Sequence, residues 1–268
     1  MPTTLPILTI AGSDCSGGAG LQADLKTFQH FGLHGLTAIT CIVSETANIV
    51  RRIDPVDPSM MEDQILLMLE AFPLTIVKTG MLGSAEHVHR VAEIFKKYPA
   101  IKLVVDPVMV ASTGASLLTP EAVETYIHQL LPIAHIITPN LPEAATLLRQ
   151  PIASLLEMEA AAHSLSTTFG CAVLLKGGHL NLPDCMDLLC ENGQLHRFSS
   201  PRLHVLASHG TGCTLAAAVA SLLALGENSI EAVRLAKNFL NQSLASSYHF
   251  TSPNGQHLHA LNQGTIQF

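Results

Sequence analysis

The chain has 268 residues, a formal net charge of −7, 48% apolar residues, 13% charged residues and 4% aromatic residues, with no tryptophan. That apolar content excludes a disordered chain, and an acidic balance with few aromatic platforms excludes a general nucleic-acid binder. No run reaches the roughly 18 apolar residues of a membrane span, and the length suits a large core, most simply one domain over residues 1–268.

"LPILTIA" (5–11) predicts a first strand rather than a signal segment, because no basic residue precedes it. "AGLQADLKTFQHFG" (19–32) sets Leu21, Leu25 and Phe28 at helical spacing and stops at Gly32. A strand at 36–44 and a helix at 58–72 follow. Further strands are predicted at 74–80, 101–107, 134–140 and 171–178, separated by helices at 84–97, 120–130, 142–149 and 155–168. Continuous apolar strands alternating with helices predict an α/β fold, a mainly parallel sheet with helices on both faces. Asn192-Gly193 between two short runs predicts a late antiparallel hairpin over 186–200. Two helices, 211–225 and 228–247, close the chain. The six cysteines (15, 41, 171, 185, 190 and 213) form no paired motifs, which fits reduced thiols in a cytoplasm.

Ligands of open α/β sheets gather beyond the carboxyl ends of the strands. Polar and glycine residues stand at six such ends: Gly12-Ser13-Asp14, Ser44-Glu45, Lys78-Thr79-Gly80, Asp106-Pro107, Thr138-Pro139-Asn140 and Lys176-Gly177-Gly178. "HGTGCTLAAAVA" (209–220) adds Gly210, Thr211 and Gly212 at a helix entrance, whose N–H groups suit an anion, with the Cys213 thiol beside it. A dinucleotide fingerprint at "GAGLQA" (18–23) fails, because six residues separate its glycine from the strand and Asp14 and Asp24 bracket the phosphate position. No Gly-Lys pair exists for a P-loop. Phosphoryl transfer fits the edge better. Asn140 and Glu143, spaced i and i+3, join Asp106 as hard oxygen ligands for Mg2+, although Asn140 also reads as a plain helix cap. Lys176 either reaches a phosphate or extends to solvent.

Seven stretches carry a resemblance: "TIAGSDCSGGAGLQADLKTFQHFG", "KTGMLGS", "DPVMVASTG", "LLTPEAV", "ITPNLPEAATLL", "LLKGGHL" and "HGTGCTLAAAVA". In order and spacing the chain resembles the hydroxymethylpyrimidine/phosphomethylpyrimidine kinases of thiamine biosynthesis, within the ribokinase-like superfamily that includes pyridoxal kinases. The resemblance implies a ribokinase-like fold and a cytoplasmic homodimer. It implies transfer of the ATP γ-phosphate to the 5-hydroxymethyl group of a small pyrimidine, then a second phosphorylation giving the pyrophosphate. Cys213 stands where most of the superfamily has an aspartate base. The helix N-terminus is expected to depress its thiol pKa and favour a thiolate base; alternatively the thiol only orients the hydroxyl and a phosphate takes the proton. By the same resemblance Gly12 and Asp24 contact the substrate and Met81 and Val108 wall its pocket. Asp106, Lys176, Lys237 and Ser112 serve the nucleotide, and Asp106, Asn140 and Glu143 the metal. Ser112 to Gly114 belong to a segment bordering the phosphates.

One position departs from the family. Glu45 replaces the glutamine that bonds the pyrimidine ring, and an ionised carboxylate only accepts where an amide also donates. The acceptor therefore stays open between the pyrimidine and a pyridoxal-type hydroxymethyl heterocycle. An inactive ligand-binding protein retaining the fold is the alternative from another class. The histidines of "HVHR" (87–90) and "QHLHAL" (256–261) have metal-like spacing, but no third ligand is apparent, and they are expected to be solvated surface residues.

Overall fold

The computed structural model describes residues 4–109, 118–181, 183–203 and 209–264. Nine strands form one sheet in the order β3-β2-β1-β4-β5-β6-β7-β8-β9. They are β1 (Pro6–Asp14), β2 (His34–Thr46), β3 (Ile49–Pro55), β4 (Ile76–Thr79), β5 (Lys102–Val105), β6 (Ile136–Ile137), β7 (Ala172–Lys176), β8 (Asp184–Glu191) and β9 (Gln194–Pro201). The six central strands are parallel, while β3 at one margin and β8 and β9 at the other run antiparallel. Apolar residues in unbroken runs demand cover on both faces, and alternate side chains divide between two cores. Val77, Leu103, Val105 and Ile137 join one, and Ile76, Val104 and Ile136 the other.

The first core is covered by α2 (Pro58–Ala71), α3 (Ala85–Lys96), α4 (Pro120–Thr125), α5 (Leu141–Leu148) and α6 (Leu155–Phe169). The second is covered by α1 (Gly20–His30), α7 (Thr211–Ala224) and α8 (Ser229–Ala245). The alanines of α7 let it pack close, and Ala216, Ala217, Ala218 and Ala220 are fully buried. Among the described residues, no helix is long and apolar enough to cross a membrane.

Three departures from the sequence reading have local causes. The helix expected over 120–130 is α4 followed by a π turn at Tyr126–Leu130 and a 3-10 turn at Leu131–Ile133, because Pro132 has no N–H to continue an α-helix. β3 was not foreseen: its residues are almost all exposed, so no buried face marks the sequence. A small antiparallel ribbon of β10 (Tyr248–Thr251) and β11 (His257–Ala260) likewise lacks an apolar pattern. The predicted hairpin is present. Asn192 and Gly193 both take positive φ, 51° and 74°, as its two-residue turn requires.

Candidate active site

A cavity of about 640 Å3 opens beyond the carboxyl ends of the parallel strands. It is lined by Gly12, Glu45, Met81 and Val108 toward one end, by Asp106, Asn140, Glu143, Lys176 and Lys237 toward the other, and by Gly210, Thr211, Gly212 and Cys213 from the mouth of α7. Of the expected site residues, Ser112 lies outside the described residues, as does the segment to Gly114. Asp24 alone is placed elsewhere.

Gly210 begins α7 with φ 81°, and no side chain caps the helix. A Cβ there would meet the Gly18 carbonyl oxygen at 1.9 Å, so only glycine lets the two loops touch. A Cβ on Gly212 would lie 3.3 Å from Lys176 Nζ and 3.6 Å from Asp106 Oδ2, which puts the helix mouth against this ion pair. Lys176 Nζ donates to Asp106 Oδ1 at 2.9 Å, and Thr138 Oγ1 donates to the same oxygen at 2.9 Å. Burial alone would raise the Asp106 carboxyl, but Lys176 and Lys78 outweigh it and hold the group below its ordinary range. Both readings of Asn140 meet here. Its Oδ1 accepts from Glu143 N at 2.9 Å while Glu143 Oε2 accepts from Asn140 N at 2.8 Å, a reciprocal cap on α5. Burial pushes the Glu143 carboxyl up to about 7, with Lys176 pulling it down and Asp106 adding to the rise.

Two expectations about the floor are corrected. Burial opposes the expected thiolate at Cys213, pushing its thiol up to about 11 against the pull of Lys78 and of a Gly20 N–H. The residue is only partly exposed to the cavity, and the partial charge of a helix terminus, worth at most about 2 kcal/mol in favourable geometry, works against that burial. Nor does Asp24 contact the cavity. It is fully buried beneath it, where Thr9 Oγ1 donates at 2.6 Å and Lys78 Nζ at 2.8 and 3.0 Å. Lys78 is equally buried. Burial would lower its ammonium, but Asp24, then Cys213 and Asp106, raise it instead, so the floor carries a fixed cation.

Lys237 is buried too, and donates to Asp187 Oδ2 at 2.6 Å and the Cys185 carbonyl at 3.0 Å, while Asp187 Oδ1 receives Gly177 N at 3.0 Å. That burial makes it an internal residue rather than a solvated helix lysine.

Sequence reading left Asp14 and His209 without roles. Asp14 accepts from the N–H groups of Ser16, Gly18 and Ala19, and His209 Nε2 meets its Oδ2 at 2.9 Å. Burial opposes ionisation of Asp14, but His209 and the surrounding donors hold the carboxyl far below its usual range. Burial would lower His209, and the Asp14 bond and charge raise it. Glu45 completes the group: one ligand atom from each of the three lies within 4.8 Å of the others. Burial and then Asp14 raise the Glu45 carboxyl, while His209 lowers it. Its backbone is clasped by Cys15, whose Sγ lies 3.3 Å from Glu45 O and 3.4 Å from Glu45 N. Val43 pairs with Ile53 and Glu45 with Val50, leaving Arg51 unmatched in a bulge, so four side chains of this hairpin roof the same end. The signal available in the sequence was the spacing of "GSD" and "HG", which only the fold brings together.

Of the other histidines, His87 is 1% exposed and is a structural residue, with Nδ1 on Ser84 Oγ and Nε2 on the Val56 carbonyl. His89 meets Gln129, and His257 is exposed as expected.

Residues 14–257 match the model of a family described as phosphomethylpyrimidine kinase. The chain is 42% identical over 262 residues to a putative hydroxymethylpyrimidine/phosphomethylpyrimidine kinase 2 of Schizosaccharomyces pombe, covering 91% of this chain and 48% of that protein. It is 42% identical over 242 residues to the hydroxymethylpyrimidine/phosphomethylpyrimidine kinase of Escherichia coli, covering 90% of this chain and 91% of that one. The chain thus spans about half of the first relative and nearly all of the second. A solved pyridoxal kinase from Staphylococcus aureus in complex with ADP superposes with a TM-score of 0.87 at 35% identity, covering 98% of this chain and 94% of that one.

Proposed function

The chain belongs to the phosphomethylpyrimidine kinase family, and from that membership we propose that it transfers the γ-phosphoryl group of ATP to 4-amino-5-hydroxymethyl-2-methylpyrimidine and then to its monophosphate. The observation that carries this reading is a single cavity. The uncapped mouth of α7 opens into it with Cys213, between the Asp106–Lys176 pair and the end roofed by Glu45, Val50 and Ile53. Such a mouth suits phosphate oxygens, and the apolar walls Met81 and Val108 suit a ring.

In the proposed reaction Lys176 and the first N–H groups of α7 hold the transferring group. The acceptor oxygen attacks γ-phosphorus, the bond to the β-phosphate oxygen breaks, ADP leaves, and the hydroxyl proton passes to the transferred phosphoryl group. Cys213, a neutral thiol by its burial, orients the hydroxyl rather than taking its proton. Asp106 and Glu143 offer the hard oxygens that Mg2+ requires, and a buried carboxyl held near neutrality is one that a divalent cation would return to its charged form. Asn140 would fix Glu143 in place through the cap. Bound Mg2+ supplies neutralisation of the charge on the phosphates. Lys237 and Asp187 anchor Gly177 at the nucleotide end. A homodimer working in the cytoplasm belongs to the same reading.

Glu45 favours a second reading, a pyridoxal-type acceptor, because a carboxyl stands where an amide would serve the pyrimidine. Release of ADP is measured with the pyrimidine, with pyridoxal and with no acceptor. The expected result is turnover stimulated most by the pyrimidine. Greater stimulation by pyridoxal transfers the assignment to the second reading, and no stimulation by either marks a ligand-binding protein.

A further inference from the structure

The ribbon of β10 and β11 lies outside the cavity and has no part in the reaction above. His249 stands directly opposite His259, and Thr251 opposite His257. Side chains alternate between the faces of a strand, so His249, His257 and His259 share one face, with Tyr248, Phe250 and Leu258 on the other. The His-x-His spacing that lacked a partner in the sequence acquires its third imidazole from the neighbouring strand.

The rings of His249 and His259 are in edge contact, with centroids 4.4 Å apart and planes at 87°. Both ring nitrogens of His259 are shielded from solvent, yet neither has a hydrogen-bond partner among the described residues. Buried polar atoms are rarely left so, and an ion is one of the few ways to satisfy them. His257 lies two residues along the same strand face, about 7 Å away at the backbone. The three imidazoles do not converge in this conformation, since among the described residues only Asp14, Glu45 and His209 bring three ligand atoms within 4.8 Å of one another. His257 is exposed, and the site requires its ring to rotate about its two side-chain torsions toward the pair. The ribbon is also anchored: Tyr248 OH donates to Asn262 Oδ1 at 2.8 Å.

We propose that this face of the β10–β11 ribbon binds one divalent late first-row transition-metal ion, of the Zn2+ or Co2+ class, through the imidazoles of His249, His257 and His259. Nitrogen ligands select such ions over Mg2+, and three imidazoles from two adjacent strands leave an open fourth position. The site stands on residues independent of the catalytic reading.

The test uses the full chain without an affinity tag, titrated with Co2+ and followed by visible absorption. One ion is expected to bind with d–d bands and no thiolate charge-transfer band. His249→Ala and His257→Ala, both at exposed positions, are each expected to weaken binding at least about tenfold, with circular dichroism and kinase turnover retained. Absence of saturable Co2+ binding overturns the proposal. So does binding that both variants leave unchanged, or that carries a thiolate band, since the ion is then held elsewhere.

Discussion

Cys213 stands at a helix N-terminus, which favours a thiolate, and in a partly buried pocket, which favours the neutral thiol; burial pushes the thiol up to about 11. A neutral thiol that orients a hydroxyl has a different mutational signature from a base. Cys213→Ser keeps a hydrogen-bonding group and is expected to retain kcat within about tenfold, while Cys213→Ala loses about 10- to 100-fold. Equal, deep losses in both variants would restore the thiolate. At Glu45 an ionised carboxylate only accepts where an amide also donates, and the rise caused by burial and by Asp14 restores that donor only to the protonated fraction. Glu45→Gln is expected to raise kcat/KM on the hydroxymethylpyrimidine by about an order of magnitude, read by the ADP-release assay. No change, or a fall, removes direct contact between Glu45 and the ring.

Among the elements, the β2–β3 hairpin has the clearest division of labour. Val43, Glu45, Val50 and Ile53 line one end of the cavity, the end proposed above for the acceptor, whereas Arg52 and Asp54 pair on the solvent side. Replacing Val50 and Ile53 together by Ser is expected to raise the acceptor KM about tenfold or more and leave the ATP KM unchanged, because a bound ring would cover these partly exposed side chains, and covering apolar surface contributes about 25 cal/mol per Å2. Steady-state kinetics with each substrate varied in turn checks this. The same hairpin shows where sequence reading stopped. The parallel strands were legible as unbroken apolar runs, α1 by the helical spacing of Leu21, Leu25 and Phe28, and α7 by the glycines at its entrance. β3 was not, since its apolar side chains meet a ligand cavity rather than a core. Likewise Gly210, Asp106 and Lys176 were legible at strand and helix ends, but Asp24 was misassigned because a chain of letters does not show that Lys78 covers it.

At the scale of the whole molecule, the cleft makes stability depend on pH. Glu143 titrates at about 7 in the folded protein against 4.5 ordinarily, so the unfolded chain ionises first as pH rises. Stability present below about 4.5 is therefore lost progressively up to about 7 and stays lost above it. Glu143→Gln has no proton to release there. Between about pH 5 and about pH 8 the Tm of the wild type is expected to fall relative to that of the variant. A constant difference between the two melting curves across that range contradicts the raised carboxyl.

The ion pair sealed under the cavity, Lys78 with Asp24, has a consequence for descent. Removing either partner strands the other charge away from water, at a cost of about 3–5 kcal/mol, a large part of an ordinary protein's stability. A lineage carrying this floor cannot abandon it one residue at a time. A relative that has lost the lysine is expected to have lost the aspartate with it, to keep that carboxyl protonated, or to have filled the gap with another cation.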